Sequence, residues 1–294
     1  MEKSQNAVHG YDPLRTVSEN LAFAGERARA AERSLDLCSS QLADLICRSA
    51  GTDTPEERFA DFCAAFPDAT GAQKADFCKK LAASQVIPSR EELLGLNDHA
   101  SPGSYGRISF VRNRYNDDAF RKFSEIVPSA KISHVSGFTE ACEDVFNSRS
   151  EYCILPVENS TDGRLFVFYA MLDRYDLRIC AVCGLETDGQ SRDVCYALAG
   201  RTAPPKLPRT ASAAFEFSLT WQDGAPLEQL LSAASAFGAV LRKTDTTPVE
   251  YDRNLFRYYF IFTLPTASVY HFAFFLSLAY PGYSLIGYYP LGER

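Results

Sequence analysis

Long apolar runs and an excess of basic charge are missing from this chain and histidine is scarce, and each shortage removes a class of function. No uninterrupted apolar stretch of the 294 residues reaches the length needed to cross a bilayer, so we expect no membrane span. A formal net charge of −7 and a pI near 5.2 leave no basic footprint for nucleic acid or an anionic membrane surface. Neither partner is expected.

Targeting and metal-binding signals are also scarce. The first twenty residues are polar, which indicates no secretory signal and predicts a cytoplasmic protein. Nine cysteines, an odd number spread along the chain, are typical of reduced thiols rather than of a disulfide framework. The four histidines are dispersed and have no ligand spacing, so we predict neither a metal nor a cofactor.

One cysteine pair has the spacing of a metal or redox motif. Cys180 and Cys183 form a single C-x-x-C inside a predicted strand. Alternation along a strand would direct the two thiols to opposite faces, where they cannot chelate one metal or form a disulfide. We therefore predict buried structural thiols.

What the chain contains is an ordinary globular composition, with 46% hydrophobic and 23% charged residues. Its length allows two or three domains, and patterning predicts three parts. The predicted fold class is α/β plus α+β. A helical segment spans 1–96, an α/β lobe 107–200 and a second α/β unit 211–294. Linkers rich in glycine, proline and polar residues separate them at 97–106 and 201–210.

The helical segment begins with a long amphipathic pattern. Apolar residues from Leu14 to Leu45 follow an unbroken 3-4 spacing, which predicts a helix from Pro13 to Ser49, roughly 55 Å long at 1.5 Å per residue. Its narrow, alanine-rich stripe needs another helix, from this chain or from a second copy. Three shorter helices are predicted to follow, each starting in a capping box at Thr54, Thr70 or Ser89.

The other two parts alternate strand and helix patterns. Residues 107–200 predict a parallel-sheet lobe, with strands starting near Arg107, Ala130 and Tyr152 and helices between them. After the second linker, residues 211–294 give the order β-α-β-β-α-β, which is typical of a ferredoxin-like fold.

The densest polar cluster closes an apolar strand in the lobe. Tyr152–Val157 is followed by the segment ENSTDG, and the pattern from Arg164 to Tyr175 predicts a helix directly after it. In α/β sheets ligands bind at the carboxyl ends of strands, and helix N-termini offer N–H groups to a carboxylate or phosphate. The turn is a candidate binding loop.

These residues resemble a known family. VENSTDG is similar to the V-x-x-E-N-S-x-x-G loop of prephenate dehydratase, which converts prephenate to phenylpyruvate in phenylalanine synthesis. Ile108–Val111 resembles that family's first strand, and Phe138–Asn147 its second helix. The unit at 211–294 resembles the ACT domain that follows the family's catalytic domain and binds phenylalanine as a feedback inhibitor in pairs of subunits.

The resemblance implies three sets of site residues, none of them a metal site. The substrate set has the motif residues and two arginines that stand where the family has a glycine-rich loop: Glu158, Asn159, Ser160, Thr161, Gly163, Arg112 and Arg114. Ser191 and Arg192 are the nearest match to the family's catalytic Thr-Arg-Phe. Gly224, Ala225, Asp245 and Thr246 correspond to the regulatory ligand turn and to its Glu-Ser-Arg-Pro segment, with L-phenylalanine or another small aromatic carboxylate as the ligand.

Departures from the family pattern leave two functions open. Family catalytic domains have two lobes around a cleft, but only 27 residues, 164–190, lie between the motif and Ser191, enough for one helix and one strand. We favour a homologue that has lost the reaction and acts as a homodimeric binding or regulatory protein. The alternative is an active dehydratase. A chorismate mutase, to which dehydratases are often fused, is a further alternative for the helical segment, against a packing or dimerisation arm.

Overall fold

The computed structural model describes residues 17–48, 53–84, 88–96, 106–185, 194–206, 208, 210–222, 227–249 and 252–291. The predicted start of the long helix at Pro13 and almost all of the first linker lie outside these residues. The elements in chain order are α1 (Val17–Arg48), α2 (Pro55–Ala65), α3 (Gly71–Ser84), α4 (Arg90–Leu94), β1 (Arg107–Val111), α5 (Arg114–Phe123), β2 (Lys131–Val135), α6 (Phe138–Phe146), β3 (Tyr152–Asn159), β4 (Gly163–Arg164), α7 (Phe166–Arg174), β5 (Arg178–Leu185), β6 (Val194–Gly200), β7 (Ser212–Gln222), α8 (Leu227–Ala236), β8 (Val240–Val249), β9 (Asp252–Pro265), a 3₁₀ turn (Thr266–Ser268), α9 (Val269–Ala279) and β10 (Ser284–Pro290).

The three short N-terminal helices start where their sequences predict. The hydroxyls of Thr54 and Ser89 each accept a hydrogen bond from the backbone N–H of a glutamate three residues on, and the carboxylate of that glutamate accepts one from the backbone N–H of the cap residue. Thr70 and Gln73 make the same reciprocal pair, at 2.9 and 3.3 Å. Each capping box satisfies two N–H groups that a helix start leaves open, so these boundaries are encoded locally.

The repeated Ala-Asp-Phe-Cys segments of α2 and α3 pack against each other. The rings of Phe62 and Phe77 stack with centroids 4.4 Å apart, and both side chains are buried. α3 then packs on α8, where Gly71 lies so close that a Cβ would be 1.9 Å from the Gln229 carbonyl oxygen. The N-terminal helices α2, α3 and α4 thereby cover the outer side of α8 and α9.

The lobe has the predicted elements, with one strand reversed. β1 pairs in parallel with β2 and β3, as expected for strands joined through helices. β6, in contrast, lies antiparallel between β3 and β5. The sheet is therefore mixed, because β5 and β6 follow each other in the chain and pair as antiparallel neighbours.

The C-terminal unit confirms the predicted β-α-β-β-α-β topology. Its strands lie in the order β10-β7-β9-β8, and every neighbouring pair is antiparallel. α8 and α9 cover one face through a core of phenylalanines, of which Phe217, Phe262 and Phe272 are fully buried. This is the ferredoxin-like arrangement.

The lobe and the ferredoxin-like unit share one sheet, which the sequence did not predict. β10 pairs in parallel with β5, so ten strands of the described residues form a continuous sheet whose main order is β2-β1-β3-β6-β5-β10-β7-β9-β8. At this seam Gly287 lies opposite Ile179, and a Cβ on Gly287 would be 2.7 Å from the Cβ of Ile179 and 2.8 Å from its carbonyl oxygen. Only glycine permits this approach.

The prediction for the two cysteines of the C-x-x-C was wrong in its geometry. The register of β5 shifts between Ile179 and Ala181, and this bulge breaks the strict alternation. Cys180 and Cys183 consequently pack against the same core cluster, under α5. Burial raises the pKa of both thiols to about 12, so both are protonated at neutral pH.

The seam gives the first testable prediction. Gly287→Ala should lower the free energy of unfolding by about 1–3 kcal/mol, because the added methyl group overlaps the backbone and side chain of Ile179. Urea unfolding measures the change. Gly184→Ala is the matched control, since this glycine lies in β5 and a Cβ there would meet nothing within 4 Å. Equal stability of the two variants would contradict the packing described for the seam.

Candidate functional site

The motif forms a tight hairpin, not the strand-to-helix turn that was predicted. β3 continues to Asn159, and Glu158 and Asn159 pair with Arg164 and Gly163 of β4. The Asn159 side chain accepts hydrogen bonds from the backbone of Thr161 at 2.9 Å and closes the turn, in which Gly163 has a φ of 69°. Because the chain reverses here, α7 begins at Phe166 rather than at Arg164.

Arg164 is the centre of the site and contacts the ferredoxin-like unit. Its Nη1 donates to Glu216 of β7, and its Nε donates to Asp245 of β8 at 2.8 Å. The side chains of Arg164 and Glu216 are each 1% exposed. The guanidinium carbon lies 4.6 Å from the ring centroid of Tyr169 and 5.4 Å from that of Tyr259. An ion pair between two aromatic rings thus joins the motif to the second unit.

The surroundings fix the charge state of Arg164 and of two neighbouring tyrosines. Burial by itself would lower the pKa of Arg164, but the charges of Glu216 and Asp245 raise it above its ordinary value, so the guanidinium stays charged. Burial, together with the charge of Glu216, holds the pKa values of Tyr169 and Tyr289 well above their usual range. The Tyr289 hydroxyl therefore stays protonated and donates to the second Glu216 oxygen at 3.1 Å.

The other motif residues either contact the ferredoxin-like unit or are exposed to solvent. Glu158 Oε1 lies 3.0 Å from the Lys243 ammonium in β8, an ion pair whose side chains are 41% and 30% exposed. Ser160 and Thr161 are exposed at the tip of the hairpin. Of the predicted substrate residues, Glu158, Asn159 and Gly163 thus make the hairpin and its contact with β8.

The two predicted arginines lie at the same edge of the sheet as the motif. Because β1, β2 and β3 are parallel, their carboxyl ends meet at one edge. Arg112 follows β1 and Arg114 is the first residue of α5, and both are exposed. The helix is capped by the Asn113 side chain, which accepts from the Asn116 amide at 2.9 Å. This edge offers two cations and a helix N-terminus to an anionic ligand.

The remaining predicted site residues divide into two groups. Ser191, Arg192, Gly224 and Ala225 lie outside the described residues. Asp245 takes part in the Arg164 network and keeps 25% of its side chain exposed, while its neighbour Thr246 is exposed. The structure therefore connects a predicted regulatory residue to the motif through one hydrogen bond.

Sequence reasoning missed Glu216, and a signal was present. Glu216 stands in the middle of the apolar run Ala213–Leu219, where a charge that is buried must have a partner. The apolar run indicates that Glu216 needs a cationic side chain as a partner, but it does not identify that residue. Arg164 is 52 positions away in the sequence, and only the fold brings the two together.

The part of the chain between the motif and β6 is short. Its described residues form the hairpin and β5, which belong to the one sheet, and α7, which packs against that sheet; they form no second lobe. Among the residues with described positions, no group of three or more histidine, cysteine or acidic residues could hold a metal ion. No described helix is long and apolar enough to cross a bilayer.

Comparison with known proteins confirms the resemblance seen in the sequence. Residues 112–188 match the family model of prephenate dehydratase, so the chain is related to that family through its lobe and motif. No curated protein sequence matches the chain significantly.

Solved structures are similar to part of this chain. Prephenate dehydratase from Streptococcus mutans has a TM-score of 0.50 and 21% identity, covering 62% of this chain and 97% of that one. GqqA, described as a novel type of quorum-quenching acylase, has a TM-score of 0.49 and 17% identity, covering 63% and 95%. Prephenate dehydratase from Arthrobacter aurescens in complex with L-Phe has a TM-score of 0.47 and 13% identity, covering 63% and 90%.

The buried ion pair generates the second prediction. Glu216→Gln should lower the free energy of unfolding by about 3–5 kcal/mol, because it leaves the Arg164 charge buried with its main partner neutralised. Glu158→Gln is the matched control, since it breaks an exposed ion pair of the same hairpin and should cost about 1 kcal/mol or less. Urea unfolding of both variants provides the comparison.

A double-mutant cycle measures the coupling between the same two side chains directly. Replacing both Arg164 and Glu216 by methionine should be less destabilising than the sum of the two single replacements, because no buried charge is left alone. Additive effects would show that the two side chains do not stabilise each other.

Proposed function

We propose that this protein is a prephenate dehydratase-like binding protein, which holds a small aromatic carboxylate or amino acid such as L-phenylalanine and does not convert prephenate. One observation carries the proposal: the motif that resembles the family's substrate loop is engaged by the ferredoxin-like unit. Arg164 is buried against Glu216, and Glu158 is paired with Lys243. These groups hold two parts of the protein together.

The open form of the lobe supports the loss of catalysis. Decarboxylation with loss of water requires that the substrate is positioned, shielded from solvent and offered a proton donor. The described residues after the motif return directly to the same sheet through α7 and β5, and they supply no opposite wall for a cleft. A site that is open on one side can bind a ligand, but it does not shield the ligand from solvent as catalysis requires.

The edge beside the motif suits a carboxylate. Arg112 and Arg114 flank the start of α5, and guanidinium groups form paired hydrogen bonds with carboxylates. The hairpin tip, with the hydroxyls of Ser160 and Thr161, belongs to the same edge. We assign the carboxylate of the ligand to the arginines, and polar groups of the ligand to the hairpin.

A regulatory role follows from the second predicted ligand position. The family resemblance implies an ACT-like ligand site at Asp245 and Thr246 together with Gly224 and Ala225. An amino acid whose ammonium group binds Asp245 would share this carboxylate with Arg164. Occupancy of the ferredoxin-like unit would then alter the hydrogen bonding of the motif hairpin. The proposal includes a cytoplasmic homodimer, as the sequence predicts.

An active dehydratase is the second candidate, favoured by the family match over residues 112–188, which includes Glu158, Asn159 and Ser160. In that case Ser191 would supply the catalytic hydroxyl and Arg192 would pair with the substrate carboxylate. The N-terminal helices or a second copy would have to close the site.

The third prediction separates these two candidates. Purified protein incubated with prephenate should give no phenylpyruvate above the uncatalysed rate, followed by absorbance beside an active dehydratase as a positive control. Turnover approaching that of a typical enzyme, about 10 per second, would establish the second candidate instead. In that event Ser191→Ala should abolish activity, and an active Ser191→Ala protein would reject the assignment of the hydroxyl.

The fourth prediction tests ligand binding. A ligand at a hundredfold its dissociation constant adds roughly 2.7 kcal/mol of stability if it binds only the folded protein. L-Phenylalanine or phenylpyruvate at millimolar concentration should therefore raise the melting temperature by several degrees, at roughly 2–4 °C per kcal/mol.

Variants locate the bound carboxylate. Replacing Arg112 and Arg114 by alanine should remove the shift for phenylpyruvate, while Arg121→Ala should retain it. Arg121 is the matched control, because it lies at the other end of α5 with a side chain that is 75% exposed. Melting curves that do not change with any of the twenty amino acids or with aromatic carboxylates would refute the binding proposal.

A further inference from the structure

The N-terminal part of α1 stands away from the rest of the described chain. Every residue from Glu26 to Cys38 is exposed, although this run makes more than three helical turns. Burial begins only at Ser39 and Ala43, where the last turns of the helix pack against α2 and α3. A projecting helix of this kind gains little stability from tertiary packing.

The exposed helix carries an uncovered apolar stripe. Val17, Leu21, Leu35 and Leu45 are 72%, 68%, 53% and 70% exposed. With Ala24, Ala28, Ala31 and Cys38, which are also exposed, they occupy a and d positions of a heptad repeat; Leu42, the a position between Cys38 and Leu45, packs instead against the core of the same chain. A stripe restricted to a and d is the pattern of a two-helix coiled coil. The small residues at its centre allow the two helices to approach closely.

Charges beside the stripe indicate which partner and which orientation it accepts. Arg27 occupies a g position and Glu32 the e position of the next heptad, and both are exposed. In a parallel, in-register pair, g of one helix faces the following e of the other, so Arg27 meets Glu32 of the partner subunit, twice by symmetry. In an antiparallel pair g faces g and e faces e, which places Arg27 near Ser34 and Glu32 near Gly25.

We infer that two copies of this chain associate through α1 as a parallel, in-register coiled coil, with Arg27 of each copy paired to Glu32 of the other. A second copy supplies both the matching stripe and the matching charges. Of the residues that pack against the rest of the same chain, Ala43 lies away from the stripe, whereas Ser39 is at an e position and Leu42 at an a position. The pairing surface is therefore the part of the stripe from Val17 to Cys38, where every a and d residue is exposed. The inference rests on the proposed homodimer and specifies its interface.

Cys38 makes the orientation measurable. It is exposed at a d position, so the parallel arrangement places it directly against Cys38 of the partner subunit. Mild oxidation of the wild-type protein should therefore yield a covalent dimer on a non-reducing gel, and Cys38→Ser should not yield one. In an antiparallel pair, in which Cys38 faces Leu21, the two thiols would be about 26 Å apart along the axis, beyond the reach of a disulfide.

Two leucines of the same helix provide a matched pair of variants. Leu35→Glu places a charge in the stripe and should raise the dimer dissociation constant at least about 100-fold. Leu37→Glu changes a leucine of similar exposure, 60% against 53%, on the opposite side of the helix, and should leave the constant unchanged. Light scattering or sedimentation measures both, and circular dichroism verifies that both variants fold.

A charge exchange tests the assigned contact. Arg27→Glu should weaken the dimer about threefold to tenfold by placing like charges together, and adding Glu32→Arg should restore it. A dimer that forms no Cys38 cross-link, or one that tolerates Leu35→Glu, would contradict the coiled-coil interface without contradicting the proposed homodimer. A wild-type monomer at micromolar concentration would overturn both.

Discussion

The arrangement of this protein depends on the buried ion pair between Arg164 and Glu216. One partner belongs to the motif hairpin and the other to the ferredoxin-like unit, and each side chain is 1% exposed. Neither charge can be buried alone without a large cost, so the lobe and the second unit must meet with these residues in contact. The seam between β5 and β10, with Gly287 against Ile179, is consistent with this single arrangement.

This constraint determines which groups the motif contacts. In a substrate loop, carboxylates and amides must be available to a ligand, and they gain catalytic value from groups placed on the other side of a cleft. Here the Asn159 side chain closes its own turn, and Glu158 contacts Lys243. The motif has the residue pattern of the family, but the contacts of Glu158 and Asn159 are with other residues of this chain. A motif can therefore persist because it connects two parts of a protein, and its presence alone does not establish activity.

Local signals in the sequence predicted much of this fold. Capping boxes at Thr54, Thr70 and Ser89 set helix starts, and the β-α-β-β-α-β order emerged from periodicity and turn residues. The shared edge of Arg112 and the motif was also predictable, because parallel strands end on the same side. These features depend on a few neighbouring residues or on general rules of topology.

The unpredicted features depend on contacts that are distant in sequence. The β5–β10 seam, the bulge that brings Cys180 and Cys183 to one side, and the partner of Glu216 leave no local trace in the pattern. The hairpin at Arg164 was misassigned for a related reason. The apolar run behind Arg164 favours a helix, whereas pairing with β3 and the contacts of this arginine with Glu216 and Asp245 hold it in a strand.

The value of the Arg164 network lies in specificity more than in stability. Well-packed apolar residues in place of a buried ion pair are often as stabilising, so the charges are best explained by what they exclude. Any register that separates them leaves a buried charge unpaired. Asp245 differs from the other two members because a quarter of its side chain is exposed, so a solute can reach it. In the proposed binding mode, a cationic group at Asp245 would compete for the carboxylate that also holds Arg164, and the hydrogen bonding of the motif hairpin would change when a ligand binds the ferredoxin-like unit.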